Sequence, residues 1–363
     1  MTTSTTPAPR TATGPWTAKP LPALDLGHLR VMTDATGILQ HARFSVPHYG
    51  EGYCIDDNAR ALLLATRLEE LREPAPGLHG LASSYLAFVS HAFNPVRGRF
   101  RNFMDYSRAW LEDEGSEDSH GRALWALGAT AGLSGDPGRR ALADQLFRAG
   151  LSATLDFTSP RGWAFTLLGT HHYLLASPGD TRVAALAQTL AQRLHRLYLD
   201  HHGPDWLWFE DQLTYCNARL PQALILAGRG RREDWVADGL RALDWLARIQ
   251  SDPQGRFAPI GSNGFHVRGR ARAWFDQQPV EACATVSACL DAWTASPDPA
   301  WLARAQTAFQ WFLGRNQLGL PLYDPRTGGC RDALHAHAAN QNLGAESTLS
   351  FLLALVEMRK FPV

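Results

Sequence analysis

The feature that most constrains the fold is a helical start that recurs six times along the chain. Each start places a polar group ahead of a run of small and apolar residues, as in the stretch 56–62 (DDNARAL). With one marker residue for each start, the six lie at positions 57, 119, 165, 217, 281 and 346. Every interval between successive markers is long enough for two helices and their loops, so the series predicts six helical hairpins.

Amphipathic stretches lie between these starts, with apolar residues at i, i+3 and i+4, as in helices that bury one face. They are at 79–92, 139–156, 182–199, 231–250 and 299–313, and a first one at 24–41 precedes the series. Alternating, strand-like segments are rare and short. The pattern predicts an all-α protein in which six hairpins close into an (α/α)6 toroid, and the alternative is an open α-solenoid.

Composition bounds the remaining possibilities. Residues 1–20 are rich in Thr, Pro and Ala and lack the apolar region of a secretory signal, so we interpret them as a disordered leader before a single toroid domain at 21–363. No apolar run approaches the roughly 20 residues of a membrane helix. The 35 Lys and Arg balance the 35 Asp and Glu without a basic stripe, which argues against nucleic-acid binding. Five cysteines in no metal-like spacing indicate reduced thiols and a cytoplasmic location.

The loops before the six starts are rich in carboxylates and aromatic residues, which are the side chains that a sugar site needs. Aromatic faces stack on the C–H faces of pyranose rings, while carboxylates, amides and guanidinium groups bind hydroxyls. Glycoside cleavage further requires one carboxyl group as acid and a second as base or nucleophile. The candidate catalytic carboxyl groups are Asp57, Asp118, Glu210, Asp211 and Glu281.

The predicted ring suggests how these groups pair. Its first inner helix faces the fourth, which sets Asp57 opposite Glu210 and Asp211. The second faces the fifth, which sets Asp118 opposite Glu281. We therefore expect Glu210 or Asp211 to be the acid, and Asp57, or next Asp118, to be the base that activates water. The side chains expected to bind substrate are Asp56, Asn58, Arg101, Tyr106, His120, Trp208, Asn217, Arg219, Asn263, Phe265, Gln278, Asn342 and Glu346. The alternative for any single acid is a helix cap.

Several stretches together resemble a family of bacterial (α/α)6 proteins, six-hairpin glycosidase-like, that occur alone or fused behind glycosyltransferase domains. The stretches are 52–62 (GYCIDDNARAL), 98–104 (GRFRNFM), 115–125 (GSEDSHGRALW), 208–211 (WFED), 215–220 (YCNARL), 261–264 (GSNG), 275–279 (FDQQP), 322–325 (LYDP), 327–329 (TGG) and 340–348 (NQNLGAEST). The resemblance spans roughly residues 25–358. It implies the toroid fold, a carbohydrate context and a glycosyltransferase as a further partner, but no particular reaction.

We therefore predict a cytoplasmic glycoside hydrolase that acts on an oligosaccharide or polysaccharide and needs no cofactor. No metal is predicted either, because His335-x-His337 has no third ligand in view. Two alternatives remain open. One is a sugar epimerase or lyase on the same toroid, with His120 as the proton shuttle. The other is a non-catalytic glycan-binding module that works with a separate glycosyltransferase.

Overall fold

The structure, a computed structural model, describes residues 19–361. Apart from its last two residues, the predicted leader at 1–20 lies outside the described residues, so its disorder and the domain boundary at 21 stay predictions. The helices, in chain order, are α1 (Gly27–Val31), α2 (Ile55–Leu71), α3 (Leu78–Ala92), α4 (Glu117–Leu133), α5 (Pro137–Leu151), α6 (Pro160–Ala176), α7 (Thr181–His201), α8 (Arg219–Gly228), α9 (Glu233–Ile249), α10 (Pro279–Ala295), α11 (Pro299–Phe312) and α12 (Ala345–Met358).

The strands are short antiparallel pairs in the loops between helices. They are Ala42–Arg43 with Val46–Pro47, Tyr53–Cys54 with Phe103–Met104, Phe93–Asn94 with Arg99–Phe100, Gln212–Leu213 with His266–Val267, and Tyr323–Asp324 with Gly329–Cys330. Each strand is two residues long. They therefore fasten loops together and form no sheet layer, which agrees with the predicted all-α class.

The even-numbered helices form a closed inner ring. Each packs against the next, from α2 through α10 to α12, and α12 returns to pack against α2. This closure confirms the predicted (α/α)6 toroid and excludes the open solenoid. Five of the six sequence markers lie inside inner helices, and the sixth, position 217, lies two residues before α8.

Small residues allow the inner helices to approach closely. The tightest crossing is between α4 and α6, where Gly128 and Gly169 face each other. A Cβ atom added to Gly128 would collide with the backbone carbonyl of Gly169, and one added to Gly169 would collide with that of Leu124. Glycine is therefore needed at both positions because backbone, which cannot move aside, occupies the space.

The outer helices α3, α5, α7, α9 and α11 each pack against the inner helix that precedes them. The sixth hairpin is different, because the helical stretch predicted at 24–41 is helical only in α1 (Gly27–Val31). Beyond α1, the Asp34 carboxylate accepts the backbone N–H groups of Thr36 and Gly37, and the Asn58 amide holds Ile38 through its N–H and carbonyl. These turn contacts replace helical hydrogen bonds, and the prediction of a long first helix was wrong.

The outer helices return the chain, so all inner helices run in the same direction. The loops that precede them meet at one end of the ring. Strand Tyr53–Cys54 pairs with Phe103–Met104 and joins the loops before α2 and α4. Gln277 and Leu334 exchange two backbone hydrogen bonds of 2.9 Å and join the loops before α10 and α12. These loops form the rim around the mouth of the ring.

Three further observations concern the described residues as a whole. None of their helices combines the length and the apolarity that crossing a membrane requires. All five cysteines are buried as free thiols. Among residues 19–361, no three or more His, Cys, Asp or Glu side chains are grouped so that they could hold a metal ion.

Candidate active site

A polar cavity of about 280 Å³ opens at the end of the ring where the inner helices begin. It lies between the first turns of α2 and α12 and is completed by the loops before α4 and α10. The lining residues are Gln40, His41, Cys54, Asp56, Asp57, Arg60, Phe103, Gln278, Asp332, Gly344, Glu346 and Ser347. Four carboxyl groups, two amides and one aromatic ring in so small a space suit a ligand that is rich in hydroxyl groups.

One arginine bridges two carboxyl groups of this cavity. Arg60 donates from Nη1 to Asp57 Oδ1 at 2.9 Å and from Nη2 to Glu346 Oε2 at 2.6 Å. Asp57 and Arg60 are three residues apart and therefore share a face of α2, and Glu346 lies in the first turn of the neighbouring α12. The side chain of Asp57 is 4% exposed, whereas that of Glu346 is 43% exposed. Two carboxyl groups thus flank a single cation in different surroundings.

Burial changes the proton affinity of Asp57. Removal from water raises the pKa of this carboxyl group to about 6, and the negative charge of Glu346 acts in the same direction. The Arg60 guanidinium opposes the rise, as does a hydrogen bond of 3.2 Å that Cys54 Sγ donates to Asp57 Oδ2. Asp57 can therefore hold a proton near neutral pH, which an ordinary aspartate does not.

Asp56 belongs to a second ion pair at the floor of the same cavity. Its carboxylate lies 3.1 Å from Arg122 Nε of α4. The Arg122 side chain, buried like that of Arg60, donates to Cys216 Sγ at 3.2 Å and lies 4.0 Å above the Phe165 ring. Helices α2, α4 and α6 and the loop before α8 are thereby tied together beneath the cavity.

The expected pairing of Asp118 with Glu281 does not occur. Asp118 accepts the Ser159 hydroxyl and the Tyr215 hydroxyl, each at 2.5 Å. Glu281 is buried, and its oxygens accept the backbone N–H groups of Cys216 and Asn217 and, at 2.9 Å, the Asn217 side-chain amide. Burial raises the pKa of Glu281, but these donors occupy its carboxylate. We interpret Glu281 as a positioning residue for the loop before α8.

Glu210 and Asp211, the expected acids, lie away from the cavity. Glu210 accepts Arg161 Nη1 at 2.8 Å, and Arg161 also donates to the Tyr215 carbonyl at 2.6 Å. Asp211 points outward with a side chain that is 71% exposed, 3.7 Å from Arg268. Glu210 and Asp118 thus meet in one cluster around Tyr215, and neither Glu210 nor Asp211 lines the cavity that contains Asp57.

His120 was expected to bind substrate or shuttle protons, but it is fully buried. Its Nδ1 accepts the Phe100 backbone N–H at 3.3 Å, and Nε2 donates to the Gly150 carbonyl at 2.9 Å. Burial lowers the pKa of this imidazole to about 3. With both nitrogens occupied and no access to the cavity, His120 is a structural residue, and the shuttle prediction was wrong.

Four other predicted binding residues are also buried. Trp208 is fully buried and packs edge-on against Phe209, so it offers no face to a sugar. Asn58 holds the turn at Ile38, as described above. Asn217 donates to the Thr214 carbonyl at 3.0 Å and to Glu281, and Arg219 donates to Gln222 at 2.7 Å. Sequence position placed these residues at inner-helix starts or in the loops before them, but it could not show that their side chains are buried.

The remaining predicted residues lie at the cavity or on the rim. Asp56, Gln278 and Glu346 line the cavity itself. On the rim, Tyr106 is half-exposed and stacks on Tyr49, with ring centroids 4.5 Å apart. The other rim residues are Arg101 over Trp110, Asn263, Phe265, and Asn342, whose amide oxygen accepts the Phe44 N–H.

Sequence reasoning missed several residues of the mouth. His41 and Asp332 line the cavity, and Asp332 accepts the Gly344 N–H at 2.8 Å. Asp276 Oδ1 and His335 Nδ1 lie 2.5 Å apart, half-exposed, on loops that the Gln277–Leu334 hydrogen bonds join. Nothing in the linear sequence relates positions 276 and 335. The available signal was the recurrence of polar residues in the loops before α10 and α12.

No family model matches the chain, and no curated protein matches its sequence. Solved structures do match. A sugar epimerase from a ruminal bacterium superposes with a TM-score of 0.73 at 12% identity, covering 94% of this chain and 98% of that one. The fold is that of the six-hairpin glycosidase-like toroids. Cellobiose 2-epimerase from Bacillus thermoamylovorans gives 0.71 at 11% identity, covering 92% and 95%. The GH76 α-mannanase of Bacteroides thetaiotaomicron gives 0.58 at 13% identity, covering 84% and 86%.

Proposed function

We propose that the chain is a glycoside hydrolase whose acid is Asp57 and whose base or nucleophile is Glu346. The observation that carries this proposal is the Arg60 bridge, which holds a buried and a half-exposed carboxyl group in one polar cavity. Two carboxyl groups in environments that separate their proton affinities are what glycoside cleavage requires. The sequence led us to expect Asp57 to be the base and Glu210 or Asp211 to be the acid. In this assignment Asp57 is the acid, and its partner is Glu346.

The proposed reaction uses the proton that burial retains on Asp57. Asp57 protonates the glycosidic oxygen as the bond from the anomeric carbon to that oxygen breaks. The Glu346 carboxylate removes a proton from the attacking water, or it attacks the anomeric carbon and water later releases the sugar. Arg60 holds the Glu346 carboxylate in place through the hydrogen bond of 2.6 Å and compensates the negative charge that forms on Asp57. No metal or cofactor takes part in this scheme.

Aromatic side chains extend the site toward the rim. Phe103 lines the cavity, is 39% exposed and belongs to the loop that continues to Tyr106. The stacked pair of Tyr106 and Tyr49 presents a flat apolar surface beside this loop. Such surfaces bind the C–H faces of pyranose rings. We therefore propose an oligosaccharide or polysaccharide substrate, one ring of which occupies the cavity while its neighbours lie along the rim.

A second candidate function, a sugar epimerase, is favoured by the Asp276–His335 pair. Asp276 accepts the Nδ1 proton of His335 and thereby leaves Nε2 as the basic nitrogen, 3.4 Å from the Asn340 side-chain amide. A histidine oriented in this way can remove and return a proton at a carbon next to a carbonyl. Two of the structural neighbours described above are sugar epimerases. His335 thus replaces His120 in this alternative.

Two further points extend the proposal. Residues 19–361 form helical hairpins and include no Rossmann-type nucleotide-sugar domain. We propose a separate glycosyltransferase as the partner that supplies the glycan. We place the enzyme in the cytoplasm, where its free cysteines would stay reduced. The same cavity in a non-catalytic glycan-binding module would bind sugars without turnover.

Product analysis by mass spectrometry tests these functions. The purified chain is incubated with α- and β-linked gluco-, manno- and galacto-oligosaccharides, alongside Asp57→Asn, Glu346→Gln and His335→Asn. Asp144→Asn, at an exposed ion pair on α5, is the matched control. Shorter sugars that wild type and His335→Asn produce, but that Asp57→Asn and Glu346→Gln do not, would support the hydrolase. Products of unchanged mass that disappear with His335→Asn would support the epimerase. Sugar binding without any product would favour the binding module.

A further inference from the structure

A larger cavity, about 550 Å³, lies on the outer wall at the end of the ring opposite the candidate active site. It is bordered by the last turns of α6 and α8 and by the flanks of α7 and α9. Of these helices, α8 is the shortest, with 10 residues ending at Gly228, whereas α6 has 17 residues.

The floor of this groove is apolar. Leu167, Leu174, Ala191 and Leu226 line it, and Leu175 reaches its edge with 66% of its surface exposed. Its volume falls within the range of about 300–1,000 Å³ that is common for small-molecule sites. A groove of this kind binds a hydrocarbon chain well, because the contact removes the apolar surfaces of both the groove and the chain from water.

The charged side chains that line the groove all carry a positive charge. Its charged lining residues are Arg229, Arg231 and Arg232, and no described carboxylate lines it. Arg232 pairs with Asp234 at 2.6 Å, while Arg229 and Arg231 form no ion pair with any residue of 19–361. The positive charge of Arg229 also acts on His171, another lining residue. Burial and this charge together lower the pKa of His171 to about 4.

A buried donor adds a second independent observation. Trp235 lines the groove and is only 3% exposed, yet its indole N–H has no acceptor among the described residues. Buried N–H groups are normally paired, and this one is left for an acceptor from outside the described residues. The groove therefore combines an apolar floor, a cationic edge and a free hydrogen-bond donor.

We infer that this groove binds an amphipathic anion, that is, a hydrocarbon chain ending in a carboxylate or phosphate group. The chain would lie on the leucines, and the head group would lie beside Arg229 and Arg231 at the edge. This site is separate from the sugar-binding cavity, because no residue lines both. The inference is therefore independent of the reaction proposed above.

Isothermal titration of the full chain with dodecanoate and dodecyl phosphate tests this inference, with dodecyltrimethylammonium as the cationic counterpart. We expect saturable binding of one anion per chain and none of the cation. Arg229→Ala with Arg231→Ala should weaken anion binding about tenfold, as expected for losing two partly exposed charge contacts. Ala187→Trp, which fills the groove, should abolish it, and Arg140→Ala, an exposed arginine on α5, should change nothing. Tighter binding of one of the two anions would identify its head group, a carboxylate or a phosphate, as the preferred one.

Three outcomes would overturn the inference. The first is equal binding of the cation and the anions, which would show that the arginines play no part. The second is unchanged affinity in both the double arginine variant and Ala187→Trp. The third is dimerisation in light scattering that Leu175→Glu abolishes, since the groove would then be an interface between two copies of the chain.

Discussion

The carboxyl groups of Asp57 and Glu346 lie on the two terminal nitrogens of one guanidinium, although the residues belong to the first and last helices of the inner ring. Ring closure brings them together, because α12 packs against α2. Their shared cation, Arg60, is buried, so it attracts both groups more strongly than a solvated arginine would. The predictions that follow depend on this arrangement.

The proposed acid sets the pH dependence of catalysis. Burial raises the pKa of Asp57 to about 6, so the protonated fraction falls as pH increases beyond that value. We expect kcat/KM to decline by about tenfold per pH unit above pH 6, because only protonated Asp57 can act as the acid. Rates measured between pH 4.5 and 8.5 check this. A profile that stays level to pH 8 would exclude Asp57 as the acid.

Asp57 should also reduce stability at neutral pH. Its pKa is higher in the folded chain than in the unfolded chain, so the folded state binds this proton more tightly and stability falls as pH rises from about 4 to 6. Above pH 6 the cost is constant, at about 2–3 kcal/mol. In Asp57→Asn the amide oxygen can keep the contact with Arg60 without the charge. We expect the variant to unfold at higher urea concentration than wild type at pH 7 and at similar concentration at pH 4. A less stable variant at pH 7 would contradict this.

Removing the shared cation should have the opposite effect. Arg60→Ala leaves the buried Asp57 without its charge partner, which we expect to lower the free energy of unfolding by about 3 kcal/mol at pH 7. The loss should shrink at pH 5, where Asp57 is mostly protonated in the folded state. Urea denaturation at the two pH values measures it, with Arg196→Ala, from an exposed pair with Asp200, as control. Equal losses at both pH values would show that Asp57 is not the group affected.

His120 should matter for stability and not for chemistry. His120→Asn loses the buried hydrogen bond to the Gly150 carbonyl, and we expect unfolding to become easier by about 1–3 kcal/mol. The kcat of the folded variant, measured well below its melting temperature, should match that of wild type. A large fall in kcat with unchanged stability would restore His120 as a proton shuttle.

The rim aromatics should affect binding more than turnover. Tyr106→Ala removes one face of the stacked pair with Tyr49 while leaving the cavity unchanged. We expect KM for oligosaccharides to rise about two- to tenfold, in line with the 0.5–1.5 kcal/mol that aromatic contacts contribute, with kcat nearly constant. Steady-state kinetics on long and short oligosaccharides separate the two parameters. A short substrate that is affected as strongly as a long one would place Tyr106 at the reacting ring instead.

Most of the fold could be predicted from the sequence. The recurring polar starts identified all six inner helices, because the interior of the ring demands small and apolar residues at regular intervals. The prediction of a helix failed at 24–41, because the short-range contacts of Asp34 and Asn58 outweigh the apolar periodicity there. Side-chain acceptors that compete with helical hydrogen bonds are difficult to weigh against that periodicity from a single sequence.

The candidate site was predicted less well. Four of the predicted residues, Asp56, Asp57, Gln278 and Glu346, line the cavity, and their role in a sugar site stays a prediction. The expected pairing of Asp57 with Glu210 or Asp211 assumed helices that face each other across the ring. In the structure, Asp57 instead lies near Glu346, because ring closure makes α2 and α12 neighbours. Sequence position also could not separate exposed from buried side chains, as Trp208 in the loop before α8 and His120 in the first turn of α4 demonstrate.

The most direct test of the central claim follows isotopes from solvent during the reaction. Wild type is incubated with its substrate in H₂¹⁸O and, separately, in D₂O, and the products are weighed by mass spectrometry. The proposed hydrolase should give shorter sugars that carry one ¹⁸O from water at the cleaved end, with no carbon-bound deuterium. Products of unchanged length that carry one deuterium on carbon, formed equally by Asp57→Asn, would contradict the Asp57–Glu346 mechanism.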